Sequence, residues 1–228
     1  TKSALGKGID RRKYARTREE CSEDNQGVGQ DDEHHIPTLE KADLTKPVQK
    51  MLHSDSADVV NWTLQPLSGN WGNESSIGIF KVSGQAAVNE TLVDWVLVLK
   101  IVQSPANKGI PWEGDDRDHF LYWRREACLF ETDFLDHVPP VFALPVCYGV
   151  VEQPGKIVWM WLQFVDNSRG KDWSLERYAA VAQQLGRFNG AYLTTGRSLP
   201  DDDWLSCNFL RQWASNDYNQ RFMPYWAH

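Results

Sequence analysis

The chain of 228 residues is 41% hydrophobic and 24% charged, and its formal net charge at pH 7 is -7. This composition is typical of a globular protein with room for one large domain or two small lobes. The negative balance argues against nucleic-acid binding, which needs a basic surface, and no apolar stretch approaches the roughly 20 residues that cross a bilayer, so neither partner is expected.

The four cysteines lie far apart in the sequence and form no CxxC pair. Wide spacing of this kind is typical of reduced thiols, so we expect a cytoplasmic protein. The composition leaves the oligomeric state open.

Residues 1 to about 40 show no apolar periodicity, and a basic part that includes Arg11 and Arg12 precedes an acidic part. Such a segment cannot bury enough apolar surface to offset the entropy lost on ordering, which predicts a disordered or weakly ordered tail over residues 1–45. A nucleic-acid-binding arm is the alternative. In the acidic part, His34 and His35 follow three acidic residues and could hold a cation, but a solvated loop is the simpler interpretation.

The rest of the chain predicts a sheet followed by helices, after a short helix over residues 44–53. Strands are predicted at residues 62–67, 77–82, 95–102, 146–151 and 157–164, with a turn at 84–89. Helices are predicted at residues 117–136, at 174–193 with Ser174 as N-cap, and at 201–217. This order predicts an α+β fold with two lobes, a sheet-based N-lobe with its linker over residues 46–167 and the start of a helical C-lobe over residues 168–228.

A glycine-rich turn between the first two strands contains Gly69, Asn70, Gly72 and Asn73. Glycine permits close approach of the backbone, and the amides at such a hairpin tip can lie over phosphate groups. Most turns of this composition only connect strands, so the turn alone does not define a function.

Lys100 and Glu126 each occupy an anomalous position. Lys100 lies within a near-continuous apolar strand, where its ammonium must reach solvent or a counter-charge, because an unpaired buried charge is costly. Glu126 lies on the apolar face of the next predicted helix and needs a cation opposite it. We therefore predict that the two side chains pair. The alternatives are a lysine that protects a sheet edge and a local pairing of Glu126 with Arg124 or a neighbouring arginine.

Five segments together resemble a known family. They are residues 67–74 (Leu-Ser-Gly-Asn-Trp-Gly-Asn-Glu), 98–100 (Val-Leu-Lys), 125–127 (Arg-Glu-Ala), 161–165 (Trp-Leu-Gln-Phe-Val) and 182–190. Over residues 62–193 the chain resembles the N-terminal part of the aminoglycoside phosphotransferase / choline kinase type of phosphotransferase. In the last segment that family commonly has Leu-Gly-x-x-His-Gly, and Asn189 stands here at the histidine position.

The resemblance implies a protein-kinase-like fold, with an antiparallel five-stranded N-lobe that carries one helix. It also implies ATP or GTP and Mg²⁺ as cofactors and a small-molecule alcohol as acceptor substrate. By position, Lys100 would bind the α- and β-phosphates and Glu126 would orient it. Gly69, Asn70, Gly72 and Asn73 would cover the phosphates, and the backbone around Gln163 to Val165 would receive the purine.

The catalytic loop of that family, His-x-Asp-x-x-x-x-Asn, and its metal-binding Asp do not occur after Leu193. His53-Ser54-Asp55 begins similarly but precedes the glycine-rich turn. Phosphoryl transfer needs both parts, so the catalytic and metal-binding residues are expected downstream of this chain, and the chain alone is expected to be inactive. The alternatives are a nucleotide-binding pseudokinase and an unrelated α+β interaction domain.

Overall fold

The structure is a computed structural model that describes residues 37–67, 75–108, 115–166, 173–194, 196, 198 and 200–215. The strands are β1 (Asp58–Pro66), β2 (Ser76–Val88), β3 (Thr91–Gln103), β4 (Cys147–Gln153) and β5 (Ile157–Gln163). The helices are α1 (Lys41–Leu52), α2 (Arg125–Glu131), α3 (Phe134–His137), α4 (Leu175–Thr194) and α5 (Phe209–Ser215), and a 3-10 turn covers Pro105–Lys108. The predicted α+β class is therefore confirmed.

The strands form one antiparallel sheet in the order β1-β2-β3-β5-β4. β3 lies at its centre, hydrogen-bonded to β2 on one side and β5 on the other. Both faces of β3 are covered by other elements, which explains why its sequence is apolar almost throughout instead of alternating. The five predicted strands are all present.

The two faces of the sheet pack against different helices. On one face, Leu97 and Leu99 of β3 share a core with Leu44 and Val48 of α1. On the other face, Val102 of β3 belongs to a second core that includes Ala127 of α2, together with Val158, Met160 and Leu162 of β5. Residues 98, 100 and 102 alternate with the α1-facing residues, so Lys100 lies on the α2 face of the sheet.

The turn predicted at residues 84–89 is wrong, because β2 continues to Val88. The chain reverses instead at Asn89 and Glu90, whose φ angles of 47° and 66° suit a two-residue hairpin turn that twists with its strands. Gly84 serves a different purpose. A Cβ atom there would lie 2.0 Å from the carbonyl oxygen of Asn61, where β1 shifts register. The glycine therefore allows the bulge in β1 to approach β2.

We expect Gly84→Ala to lower the free energy of unfolding by about 1–3 kcal/mol, because the backbone of β1 must move to accommodate the new methyl group. Urea unfolding followed by circular dichroism measures the change. Gly149→Ala in β4 is the matched control, since a Cβ there meets nothing within 4 Å. Equal midpoints for the two variants would contradict this account of Gly84.

The single helix predicted over residues 117–136 is also wrong. Residues 117–124 form turns, and the helical part is divided into α2 and α3. The Arg125 side chain accounts for the turns, because it donates hydrogen bonds to the carbonyl oxygens of Arg117, His119 and Phe120. In a continuous helix those carbonyls would accept bonds from backbone amides four residues later.

The remaining helices agree with the sequence to different degrees. α4 matches the prediction, and the Ser174 hydroxyl caps it by accepting a hydrogen bond from the Arg177 amide at 3.3 Å. The helix predicted over residues 201–217 is wrong in its first part, since α5 begins only at Phe209.

The predicted boundary of the N-terminal tail is wrong. α1 begins at Lys41, and Leu44 is fully buried, so ordered structure begins inside the segment predicted as a tail. The basic segment, His34 and His35 lie outside the described residues.

None of the helices in the described ranges has both the length and the apolar character that a membrane span needs.

Candidate functional site

Lys100 and Glu126 form the predicted pair. Lys100 lies in the middle of β3, with Ile79 and Met160 as its partners in the neighbouring strands. Its Nζ donates a hydrogen bond to Glu126 Oε2 in the first turn of α2. The two side chains are 23% and 38% exposed, so the pair is reached from solvent on one side while it joins the sheet to the helix.

Arg124 is not the partner of Glu126, so the local alternative considered from the sequence is wrong. Arg124 Nη2 lies 2.9 Å from a carboxylate oxygen of Glu131 and 2.6 Å from one of Glu152. The contact with Glu152 joins the N-terminus of α2 to β4. Two independent ion pairs, Lys100–Glu126 and Arg124–Glu152, therefore hold this short helix against the sheet.

Arg125 is the structural centre of the segment around the pair, and the sequence analysis did not assign it a role. In addition to the three carbonyl oxygens of residues 117–120, its Nε donates to the carbonyl oxygen of Trp204 at 2.7 Å. Burial lowers the pKa of Arg125 from its ordinary value. A planar guanidinium can satisfy several acceptors at once, which suits arginine and no other residue to this position.

A segment near the end of the described chain packs on the same region. Arg117 forms a salt bridge with Asp203, with Nη1 and Oδ2 2.6 Å apart. The Phe120 amide donates to Gln212 Oε1 at 2.8 Å. The Trp204 ring meets Phe134 edge to face, with centroids 5.1 Å apart. Residues 203–212 therefore fix the turns that precede α2.

Asp115 ties these turns to the sheet. Its carboxylate contacts Lys156 in the β4–β5 turn and accepts hydrogen bonds from the Trp123 indole at 3.0 Å and the Ser104 hydroxyl at 3.3 Å. The hydrogen bond from Lys156 is the main cause that lowers the pKa of Asp115. Asp115 thereby orients the Trp123 ring.

These contacts enclose a cavity of about 750 Å³ between the Lys100–Glu126 pair and the segments around α2 and residue 204. Its volume lies in the range of small-molecule sites. Most of its wall is apolar, and the aromatic part consists of Phe120, Tyr122, Trp123, Phe134 and Trp204. Ser75, which directly follows the glycine-rich turn in sequence, also lines it. The cavity was not predicted, because residues distant in sequence build it.

Of the other residues implied by the resemblance, none that the structure describes lines this cavity. Gly69, Asn70, Gly72 and Asn73 lie outside the described residues. Gln163 and Val165 are not among the residues that line the cavity. The backbone amide of Gln163 donates a hydrogen bond to the Val146 carbonyl at 2.8 Å, so this amide is not available to a ligand.

The surroundings of Val165 are more open. The Val165 side chain is 61% exposed, and none of the hydrogen bonds within the described residues engages its backbone. Next to it, the Lys81 ammonium lies 5.0 Å from the centre of the Phe164 ring. Within the described residues, the Val165 backbone therefore keeps unused hydrogen-bonding groups, whereas the Gln163 amide does not.

Within the described ranges, no group of three or more His, Cys, Asp or Glu side chains is arranged to hold a metal ion. Comparisons with protein-family models, with curated proteins and with solved structures found no match.

Proposed function

We propose that this chain is the nucleotide-binding part of a phosphotransferase with a protein-kinase-like fold, which moves the γ-phosphate of ATP or GTP to a hydroxyl group of a small molecule. The observation that carries the proposal is the contact between Lys100 on the central strand and Glu126 on α2. A lysine held in this way presents its remaining N–H donors as a fixed positive group for phosphate oxygens.

The arrangement of elements supports the same proposal. Three antiparallel strands come first, the short helices α2 and α3 follow, and two further strands complete one five-stranded sheet. The lysine and the glutamate lie on the strand and the helix to which the resemblance to aminoglycoside phosphotransferases and choline kinases assigns them. Val165, whose backbone has no hydrogen-bond partner among the described residues, follows the last strand, where that family receives the purine.

The catalytic loop and the Mg²⁺-binding residues belong, in this proposal, to sequence downstream of the chain. Such a protein acts in the cytoplasm on a small-molecule acceptor and requires Mg²⁺ for transfer. A pseudokinase shares the nucleotide site and differs only in that downstream sequence. The interaction-domain alternative requires Lys100 and Glu126 to stay apart, and their contact counts against it.

A titration of the chain with the fluorescent analogue mant-ATP in the presence of Mg²⁺ tests nucleotide binding. We expect saturable binding that unlabelled ATP or GTP displaces, because phosphate contacts at Lys100 do not depend on the downstream residues. Transfer of the γ-phosphate by this chain alone is not expected. Failure of both nucleotides to displace the analogue would refute the proposed site, and measurable transfer would refute the assignment of the catalytic loop to downstream sequence.

A further inference from the structure

The cavity beside the Lys100–Glu126 pair has an unbalanced charge. Of the charged side chains that line it within the described residues, Lys100 and Arg125 are cationic and Glu126 is anionic. Glu126 is the direct partner of Lys100. The acceptors of the hydrogen bonds from Arg125 are all uncharged carbonyl oxygens, so they satisfy its donors without cancelling its charge. Within the described residues, the cavity wall therefore carries one positive charge in excess.

Both cations of the wall also keep unused donors. A lysine ammonium has three N–H groups, and Glu126 takes one of those of Lys100. A guanidinium has five, and the carbonyl oxygens accept four of those of Arg125. A carboxylate is the small group that best complements such a wall, because it is anionic and only accepts hydrogen bonds.

The rest of the wall fits a flat apolar body. Phe120, Tyr122, Phe134 and Trp204 contribute rings, and Leu129 contributes an aliphatic side chain. Aromatic side chains present large flat surfaces that favour offset or edge-to-face contact with another ring. A site that combines such walls with a few polar groups is typical of small-molecule binding.

We propose that this cavity binds a planar aromatic monocarboxylate, with the carboxylate toward Lys100 and Arg125 and the ring between the aromatic side chains. This site shares Lys100 and Glu126 with the phosphate-binding part of the proposed nucleotide site, whereas Val165, at its proposed purine end, does not line the cavity. The inference does not depend on nucleotide binding and is tested without a nucleotide.

The first experiment compares 2-naphthoate with 2-naphthamide, which has nearly the same shape but no charge. Each compound is titrated into the full chain by isothermal calorimetry at fixed ionic strength. We expect one site for 2-naphthoate and at least about tenfold weaker binding of the amide, because charge-assisted hydrogen bonds are roughly twice as strong as neutral ones. Equal affinities, or no binding of the carboxylate, would overturn the proposal.

Glu126→Gln gives the sharpest test, because it removes the negative charge from the wall at almost constant volume. We expect 2-naphthoate to bind about fivefold more tightly or better and 2-naphthamide to bind as before, since a like charge near the site opposes only the anion. The proposed function is tested separately by the mant-ATP titration, so absence of 2-naphthoate binding contradicts this inference and absence of mant-ATP binding contradicts the proposed function. Unchanged or weaker binding of 2-naphthoate would contradict the charge argument.

Leu129→Trp tests the location of the site by filling the cavity, and we expect it to weaken 2-naphthoate binding by about tenfold or more. The control is Leu175→Trp, which adds the same ring on α4 at a position that is 84% exposed. Circular dichroism verifies that both variants are folded, and the Glu126→Gln comparison decides the question if Leu129→Trp does not fold. Equal affinities of the two folded tryptophan variants would place the ligand elsewhere.

Discussion

Replacing Lys100 with Met is expected to weaken binding of ATP or GTP by about 10- to 100-fold, the loss of a charge-assisted hydrogen bond to a phosphate. Met keeps the length and apolar character of the lysine stem, so the centre of β3 should remain packed. Mant-ATP titration measures the affinity, and urea unfolding verifies that the variant is folded. If the proposed phosphotransferase activity is present, the same change is expected to abolish phosphoryl transfer.

The control for this prediction is Lys41→Met. Lys41 also forms a salt bridge, with Asp58 at 2.6 Å, but it lies on α1, which packs on the opposite face of the sheet. Loss of an exposed ion pair alone should leave nucleotide affinity unchanged. Equal affinities of the Lys100→Met and Lys41→Met variants would show that Lys100 is only structural.

The role of Glu126 follows from the same measurement. If Glu126 acts on the nucleotide only by orienting Lys100, the double variant Lys100→Met, Glu126→Gln should bind nucleotide no more weakly than Lys100→Met alone. Glu126→Gln by itself should cause a smaller loss, because the ammonium remains but is no longer held. Additive losses would mean that the carboxylate acts independently of the lysine.

The pair could be predicted from the sequence because each partner violates the pattern of its own element. A charge inside an apolar strand and a charge on the apolar face of the next helix each need compensation, and the two elements are neighbours in the chain. The presence of the five strands was predictable for a similar local reason, since each contains a β-branched or aromatic run. The end of β2 was not, because Gly84 has the character of a turn residue.

Features that depend on distant residues could not be predicted. Gly84 has the sequence character of a turn residue, and only the carbonyl of Asn61 in another strand explains it as a point of close approach. Residues 117–124 have helical periodicity, but the side chain of Arg125 donates hydrogen bonds to three of their carbonyl groups. Arg125 is in turn held by Trp204, which is 79 residues away in sequence. The cavity exists only because these contacts form together.

Arg125 is therefore expected to be the residue on which the site most depends for its shape. Arg125→Ala leaves the carbonyl groups of Phe120 and Trp204, among others, without their donor. We expect the free energy of unfolding to fall by about 3 kcal/mol. This is more than one average charge-assisted hydrogen bond contributes and less than the sum of the four that Arg125 makes. Urea unfolding measures this loss. Because α2 loses its connection to residue 204, nucleotide affinity should fall as well, although Arg125 does not belong to the proposed nucleotide site.

Arg125→Lys separates geometry from charge in this prediction. Lysine keeps the positive charge, but its single ammonium cannot reach all four carbonyl oxygens that the planar guanidinium contacts. Most of the loss of unfolding free energy should therefore remain. The control is Arg117→Ala, which removes an exposed salt bridge with Asp203 from the same region and should change stability little. A lysine variant as stable as the native chain would mean that the charge of Arg125, and not its four directed hydrogen bonds, holds the turns before α2.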